Sequence, residues 1–276
     1  MEIVACTDKN FIFPMGVMMY SLCQNNQDAE IVFHIILDED VTTSDKNNLQ
    51  KTVCGFRNCR IAFYAVNRTV LSSFPDPGGR KDISLATYYR LMLTELLPDT
   101  VHKVLYLDGD IIIRGSLKPL WDLDLTDSAV AGATDAIAGQ VDLYNRLHYP
   151  PTKGYFNAGV LLINLDYWRE HKVINLFNDF INNRANDIIY HDQDVLNGVF
   201  WGCKKTFPIK YNFNSGFLWK RRQFDYWQSR RNSWRDYRIR WLFISLERSR
   251  GLLIKEILIH FAAHGSFIKT KQCGKV

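Results

Sequence analysis

Neither G-x-G-x-x-G nor G-x-x-x-x-G-K-[ST] occurs anywhere in the 276 residues. The dinucleotide fingerprint and P-loop phosphoryl transfer are therefore disfavoured. Cysteine is sparse. The six thiols (Cys6, Cys23, Cys54, Cys59, Cys203 and Cys273) form no C-x-x-C pair, which argues against structural zinc and a disulfide framework and fits free thiols in a reducing cytoplasm. No uncharged apolar run approaches the length of a membrane span. The opening Met-Glu-Ile-Val-Ala-Cys-Thr-Asp enters a strand pattern at once, without a basic or apolar leader, so no signal peptide is expected. Neither sign of charge dominates: the net charge is +5, with 47% hydrophobic and 23% charged residues. That balance is ordinary for a globular chain and sufficient for one large domain, with or without an appendage.

The most informative stretch that is present is Lys103-Val-Leu-Tyr-Leu-Asp108-Gly-Asp110-Ile-Ile-Ile113. Its apolar run reads as an inner strand of a parallel sheet covered on both faces. Two carboxylates inside such a run are costly unless paired, protonated or bound to a cation. At the C-terminal end of a strand they lie where open α/β sheets hold ligands. Gly109 lets the chain turn so that Asp108 and Asp110 can face one hard, oxygen-seeking cation. A solvated Asp-Gly-Asp turn is the alternative.

Strands and helices alternate around this run. Glu2–Thr7, Ile31–Leu37, Arg60–Val66, Ala129–Thr134, Tyr155–Asn164 and Phe207–Tyr211 read as strands, as does the whole of 103–113. Pro14–Asn25, Ser44–Cys54, Ser84–Leu97, Val173–Asn183 and Asp192–Phe200 read as helices. Pro75-Asp-Pro-Gly-Gly79 breaks the chain. Such alternation predicts right-handed βαβ units, a mainly parallel sheet flanked by helices and a nucleotide-binding architecture. Residues 1–215 are read as one domain, and 216–276 as a basic, aromatic C-terminal region.

Within that region, Trp219 to Trp241 holds eight basic residues, two acidic ones and seven aromatics. An anionic membrane surface suits this mixture, because rings sit at headgroup depth and cations meet the lipid phosphates. A solvated helix with inward rings and a nucleic-acid surface are the alternatives, and nucleic acid is the least favoured.

After the first strand come Thr7-Asp8-Lys9-Asn10-Phe11, an acceptor, an amide and a ring that suit a base edge and its face, or else a capped turn. With the Asp pair on an inner strand, this set suits a sugar nucleotide whose diphosphate is bridged by a divalent cation.

These residues also resemble a family. Ile3–Phe11, Ile83-Ser-Leu-Ala-Thr-Tyr-Tyr-Arg90-Leu91, Val104–Ile113, Leu117-Lys-Pro-Leu-Trp-Asp122, Tyr155-Phe-Asn-Ala-Gly-Val-Leu-Leu-Ile-Asn-Leu165 and Asp192-Gln-Asp-Val-Leu-Asn-Gly198 follow in order the motifs of the retaining glycosyltransferases of family 8. That group includes bacterial lipopolysaccharide galactosyl- and glucosyltransferases. The resemblance implies a GT-A fold, a UDP-hexose donor (UDP-glucose or UDP-galactose), Mn²⁺ or Mg²⁺, a glycan acceptor and retention of anomeric configuration. It implies that Asp8, Asn10 and Phe11 hold uracil and ribose, with Phe11 standing where many relatives carry Tyr. Arg90 would reach the donor phosphate or sugar, a helix-surface ion pair being the alternative. Asp108 and Asp110, with Gly109 between them, would meet the metal, and His260 would be its third ligand. Asp135 and Asn157 would bind sugar hydroxyls. Asp192 and Gln193 would stand near the anomeric carbon, with N-terminal helix capping by Asp192 as the alternative. The family continues His-x-x-Gly-x-x-Lys, whereas His260 is followed by Ala263 and Ser266 at those places, and Gly265 and Lys269 substitute only if the loop is longer.

Two other functions are open at this point: a catalytically weak UDP-sugar-binding relative, and a sugar-1-phosphate nucleotidyltransferase, which needs a glycine-rich basic loop that Thr7–Phe11 does not supply. A cytoplasmic enzyme, peripheral on the inner membrane face and without nucleic-acid partners, is expected.

Overall fold

The computed structural model describes residues 1–66 and 85–214, together with Phe217 and the backbone of Phe243–Ser245. The strands are β1 (Glu2–Thr7), β2 (Ile31–Leu37), β3 (Cys59–Ala65), β4 (Lys103–Leu107), β5 (Ile111–Ile113), β6 (Val130–Thr134), β7 (Phe156–Asn164), β8 (Lys204–Thr206) and β9 (Phe243–Ser245). The helices are α1 (Ile12–Asn25), α2 (Thr43–Val53), α3 (Leu93–Leu96), α4 (Lys118–Trp121), α5 (Val141–Leu147), α6 (Leu165–Glu170), α7 (Val173–Arg184) and α8 (His191–Phe200). Seven strands form one sheet in the order β3-β2-β1-β4-β7-β6-β8. Its β1–β2, β2–β3, β1–β4 and β6–β8 pairs are parallel, while β7 runs antiparallel to both β4 and β6. The expected mainly parallel α/β sheet is present.

Period-two alternation explains the layering. In β1, Ile3 and Ala5 join one buried cluster and Val4 the other; in β4, Leu105 and Leu107 oppose Val104 and Tyr106. Both faces are thus apolar, as a sheet sandwiched between helices requires. Local chemistry sets the helix starts. Thr42 and Asp45 form a reciprocal capping box at α2, a device worth about 1 kcal/mol.

Topology positions the site. From β1 the chain runs outward through β2 and β3, then returns to place β4 on the other side of β1. The crevice beyond the C-terminal ends of β1 and β4 is the point where strand order reverses, the usual ligand position in such sheets.

Several expectations need correction. The 103–113 run is two strands: β4 ends at Leu107, Asp108-Gly109-Asp110 turns, and β5 leaves the sheet to pair antiparallel with β9. The described part of Ser84–Leu97 is a 3₁₀ segment, Leu85–Met92, followed by the short α3. The strand expected at Phe207–Tyr211 lies at Lys204–Thr206, and Ile209–Tyr211 is a 3₁₀ turn. Cys6, Cys23, Cys59 and Cys203 are free thiols, but Cys54 is disulfide-bonded. The Pro75–Gly79 break and the basic Trp219–Trp241 stretch lie outside the described residues. Among the described residues no helix is long and apolar enough to cross a membrane.

One lysine is held at odds with its charge. Lys204 lies over the rings of Phe156 and Tyr149, at 5.0 and 5.7 Å, and donates to the Gly154 carbonyl at 2.6 Å. Burial lowers its pKa from 10.5 to about 8. Between those values the unfolded chain keeps a proton that the folded chain has released, so stability rises with pH across that window. Below pH 8 both states are protonated and the effect is flat. Relative to Lys204→Met, the wild type is expected to gain on the order of 2–3 kcal/mol between pH 8 and 10.5. Chemical denaturation of both proteins at several pH values measures this, and parallel curves would refute it.

Candidate active site

Arg90 is the centre of the arrangement. The 3₁₀ segment carries it beneath the β4 terminus, where it is 7% exposed. Its Nη2 donates to Asp108 Oδ1 at 2.9 Å, its Nη1 to the Ala158 carbonyl at 2.7 Å, and its Nε lies 3.0 Å from Asp192 Oδ2. The guanidinium also stacks on Tyr106, 4.3 Å from the ring centroid. Burial works against its charge, yet the carboxylates of Asp192 and Asp108 outweigh that cost and hold its pKa above the ordinary arginine value. The helix-surface ion pair weighed from the sequence is excluded by this burial. One planar cation thereby joins the end of β4, the start of β7 and the start of α8, a task suited to a guanidinium fork.

Asp192 is buried in the first turn of α8. Thr87 donates to its Oδ1 at 2.5 Å. Burial raises this carboxyl above its usual range, against the opposing influence of Arg90 and then Thr87. Asp192 is not a helix cap: the N-cap is Tyr190, which has no side-chain capping bond. Instead Asp194 receives the backbone N–H groups of Ile189 and Tyr190, at 2.8 and 2.6 Å.

Asp135 follows β6 and is 8% exposed. One carboxylate oxygen accepts from Ile137 N at 2.8 Å, making a local turn, and the other accepts from Asn157 Nδ2 at 2.7 Å and Gln193 Nε2 at 3.2 Å. Asn157 Oδ1 in turn accepts from Gly159 N and from Asn212 Nδ2. Gln193 Oε1 accepts from Ala158 N at 2.9 Å. Thus Arg90, Asp108, Asp192, Asp135, Asn157 and Gln193, spread over more than a hundred residues of chain, meet around β7.

Asp8, Asn10 and Phe11 lie at the adjacent end of β1. Asp8 is buried and accepts from Asn10 N at 2.8 Å, so the capped turn foreseen as an alternative is formed here. Asn10 is exposed and Phe11 half-buried. Cys6, beside Tyr106 near this edge, is no nucleophile: burial pushes its thiol up to about 12.

Asp108 and Asp110 are half-buried on either side of the buried Gly109. The donor set fits a hard divalent cation. Arg90 and Tyr106 engage Asp108 Oδ1, and the side of Oδ2 is kept clear by a glycine: a Cβ on Gly159 would lie 2.8 Å from Oδ2 and 3.0 Å from Asn157 Oδ1. Among the described residues no group of three His, Cys, Asp or Glu side chains converges as a metal cluster. His260, expected as the third ligand, lies outside the described residues, as do Ala263, Gly265, Ser266 and Lys269.

Gly159→Ala tests this clearance. Arg90 clamps the Asp108 carboxylate, so it has little room to retreat from a new methyl group. If the turn holds a divalent cation for a UDP-sugar, as the family resemblance implies, UDP binding in the presence of Mn²⁺ is expected to weaken at least about 10-fold, roughly 1.4 kcal/mol. The crowding should also lower the unfolding midpoint by several degrees, and calorimetric UDP titration of the folded variant showing unchanged affinity would refute the prediction.

Several site residues escape a reading of the sequence alone: Thr87, Tyr106, Tyr155, Asp194 and Asn212. Two had a usable signal. Thr87 stands three residues before Arg90, and Tyr106 is on the Asp108 side of β4 by strand alternation. Asp194 stood in the Asp192–Gly198 motif without a role of its own, and Asn212 and Tyr155 carried no signal, because their partners are remote in sequence.

The family model for glycosyl transferase family 8 matches residues 2–234. The chain is 31% identical over 219 residues to the lipopolysaccharide glucosyltransferase WaaO of Escherichia coli K12, covering 77% of this chain and 62% of that protein. It is 30% identical over 217 residues to a lipopolysaccharide 1,3-galactosyltransferase of Salmonella typhimurium, covering 76% and 62% respectively. General stress protein A of Bacillus subtilis is 29% identical over 205 residues, 73% of this chain and 69% of its own length. The chain therefore spans about two-thirds of the length of these relatives. Among solved structures, the galactosyltransferase LgtC in complex with donor and acceptor sugar analogues superposes with a TM-score of 0.79 at 28% identity, over 97% of both chains. The helix-flanked, mostly parallel sheet and its strand-reversal crevice are those of a GT-A glycosyltransferase. The chain belongs to glycosyl transferase family 8.

Proposed function

We propose that this protein is a retaining, metal-dependent hexosyltransferase that moves glucose or galactose from a UDP-sugar to a glycan acceptor such as lipopolysaccharide or another cell-surface glycan. The observation that carries the reading is the buried Arg90 bridge, which unites the Asp-Gly-Asp turn with the Asp192-Gln193 start of α8. It ties Asp108, which this reading assigns to the cation, to Asp192 and its neighbour Gln193, which it assigns to the sugar. Family membership, and the likeness to a galactosyltransferase seen with donor and acceptor analogues, support the same chemistry.

In this reading Asp8, Asn10 and Phe11 hold uracil and ribose at the β1 edge. Asp108 and Asp110, with His260, would hold Mn²⁺ or Mg²⁺, which supplies charge neutralisation of the departing UDP. Asp135 and Asn157 accept and orient sugar hydroxyls, and Asp192 stands with Gln193 near the anomeric carbon. Gln193 directs its amide oxygen toward positive charge growing at the anomeric carbon, an electrostatic rather than nucleophilic role. Arg90 orients Asp108 and Asp192 from below and offsets part of their negative charge beside the phosphates. The basic 219–241 stretch serves peripheral contact with an anionic membrane face, where glycan acceptors are presented.

The test is release of UDP from a panel of UDP-hexoses with Mn²⁺, with and without glycan acceptor, and anomeric analysis of the product by NMR. Turnover of one hexose with retained configuration is the expected outcome. UDP binding without release under every acceptor would replace this reading with that of a catalytically weak UDP-sugar-binding relative. Inversion would refute the retaining assignment.

A further inference from the structure

We propose that Asp194 and Tyr155 form an orientation lock for the Gln193 side chain, fixing which end of its amide faces the sugar; this rests on the role given to Gln193 above. Asp194 is fully buried. It accepts from Arg146 Nη1 and Nη2 at 2.7 and 3.1 Å, from the Ile189 and Tyr190 N–H groups, and from Tyr155 Oη at 2.8 Å. A carboxylate so surrounded by donors has no proton to give. Tyr155 is 1% exposed, and burial pushes its phenol well above the usual value, so it keeps its one proton.

The consequence is a matter of counting protons. The single Tyr155 hydrogen goes to Asp194, so toward Gln193, 3.1 Å away, its oxygen can only accept. The Gln193 group facing it must be the Nε2 amide, which leaves Oε1 on Ala158 N at 2.9 Å. Asp135 gives the same instruction by accepting from Nε2. Asp135, however, is the carboxylate that sugar hydroxyls are to engage. Tyr155 is the partner that does not compete with substrate. Asp194 is thus a positioning residue: all of its bonds point into the protein, and it acts on the reaction through Tyr155.

Asp194→Asn reverses the instruction. An amide with its oxygen toward Arg146 Nη1 and the Ile189 and Tyr190 N–H groups presents Nδ2 to Tyr155, and Arg146 Nη2, which shared that oxygen with Tyr155, gives way. The tyrosine proton then turns to Gln193 and demands Oε1 where Nε2 was. Displaced catalytic groups cost up to about 100-fold in rate, and that is the loss of kcat expected for D194N. Tyr155→Phe removes the messenger and leaves Ala158 and Asp135 to orient the amide; kcat should fall about 10-fold, with donor KM and UDP affinity within about twofold of wild type. The double variant D194N/Y155F should recover about 10-fold over D194N, because nothing remains to turn the amide the wrong way.

A purely structural role predicts the opposite, a double variant worse than either single one. That result would overturn the proposal. Should D194N not fold, Y155F decides alone: full kcat in a folded Y155F protein overturns the lock. Gln193→Ala separates this idea from its foundation. If Q193A keeps full kcat, the role of Gln193 fails and the lock with it. If Q193A loses kcat while Y155F keeps it, the lock alone is wrong.

Discussion

Arg90→Met is expected to be the most damaging single substitution in the molecule. Its side chain is matched in length to the arginine stem, so the result reports loss of the guanidinium rather than a large cavity. Removing it leaves Asp192, 5% exposed, without its counter-charge, strips one partner from Asp108, and orphans the Ala158 carbonyl. Breaking a buried pair from one side costs about 3–5 kcal/mol. In a domain of this size each kcal/mol shifts the unfolding midpoint by about 2–4 °C, so a fall of roughly 10 °C is expected. Arg90→Lys should recover little. One ammonium cannot span Asp108, Asp192 and the Ala158 carbonyl in the plane that the fork now occupies.

The direction of the pH response follows from the same cluster. Burial raises the Asp192 carboxyl, and Arg90 is the largest opposing influence. Without Arg90 the carboxyl should rise further and take up a proton as the chain folds. A carboxyl that is more protonated folded than unfolded makes stability fall as pH rises through the carboxylate range. Arg90→Met should therefore lose most relative to wild type near neutral pH and least in acid. Differential scanning calorimetry at several pH values checks this, and a pH-independent difference would show that the lost packing on Tyr106, not the charge, dominates.

The bridge also shows what a linear sequence reveals and what it hides. Arg90, Asp108 and Asp192 were each legible, because each sits in a motif with its own chemistry. That Arg90 lies under the site, touching both carboxylates, was not. It depends on a 3₁₀ segment where helical periodicity suggested an α-helix, and tertiary contacts decide between such forms. Short, mostly apolar runs were read well as strands: β1 and β2 match their expected bounds, and β3, β6 and β7 differ by a residue. The 103–113 run misled for a physical reason. Apolar residues flank the Asp pair on both sides, so composition gives one strand, whereas the turn at Gly109 sends the two halves into different sheets. Tyr155 and Asp194 illustrate the remaining limit. A buried Asp next to Gln193 could cap, catalyse or support, and only the direction of its hydrogen bonds distinguishes these roles.

The second large effect is expected at the Asp-Gly-Asp turn. Asp110→Asn keeps volume and hydrogen-bonding capacity but removes one negative charge from a site that would otherwise offer two carboxylates to a divalent cation. Neutral amide oxygens hold hard cations far less strongly than carboxylates, which the oxygen-seeking character of Mn²⁺ and Mg²⁺ makes decisive. UDP-hexose turnover is expected to fall at least about 100-fold, close to 3 kcal/mol of transition-state stabilisation. Half-burial of Asp110 and its place in a turn rather than in the sheet mean that folding should be little affected. The decisive readout is linkage rather than activity. In wild type, Mn²⁺ should tighten UDP binding and UDP should tighten Mn²⁺ binding by the same factor. In Asp110→Asn that coupling should largely vanish while metal-free UDP affinity, which the proposed function assigns to Asp8, Asn10 and Phe11 at the β1 edge, stays within about twofold. Asp108→Asn should differ from it, since Arg90 and Tyr106 donate to Asp108 Oδ1 and the substitution disturbs the bridge as well. Isothermal titration of UDP with and without Mn²⁺ on the three proteins discriminates these cases. Undiminished coupling in Asp110→Asn would place the cation elsewhere and withdraw the role assigned to the turn.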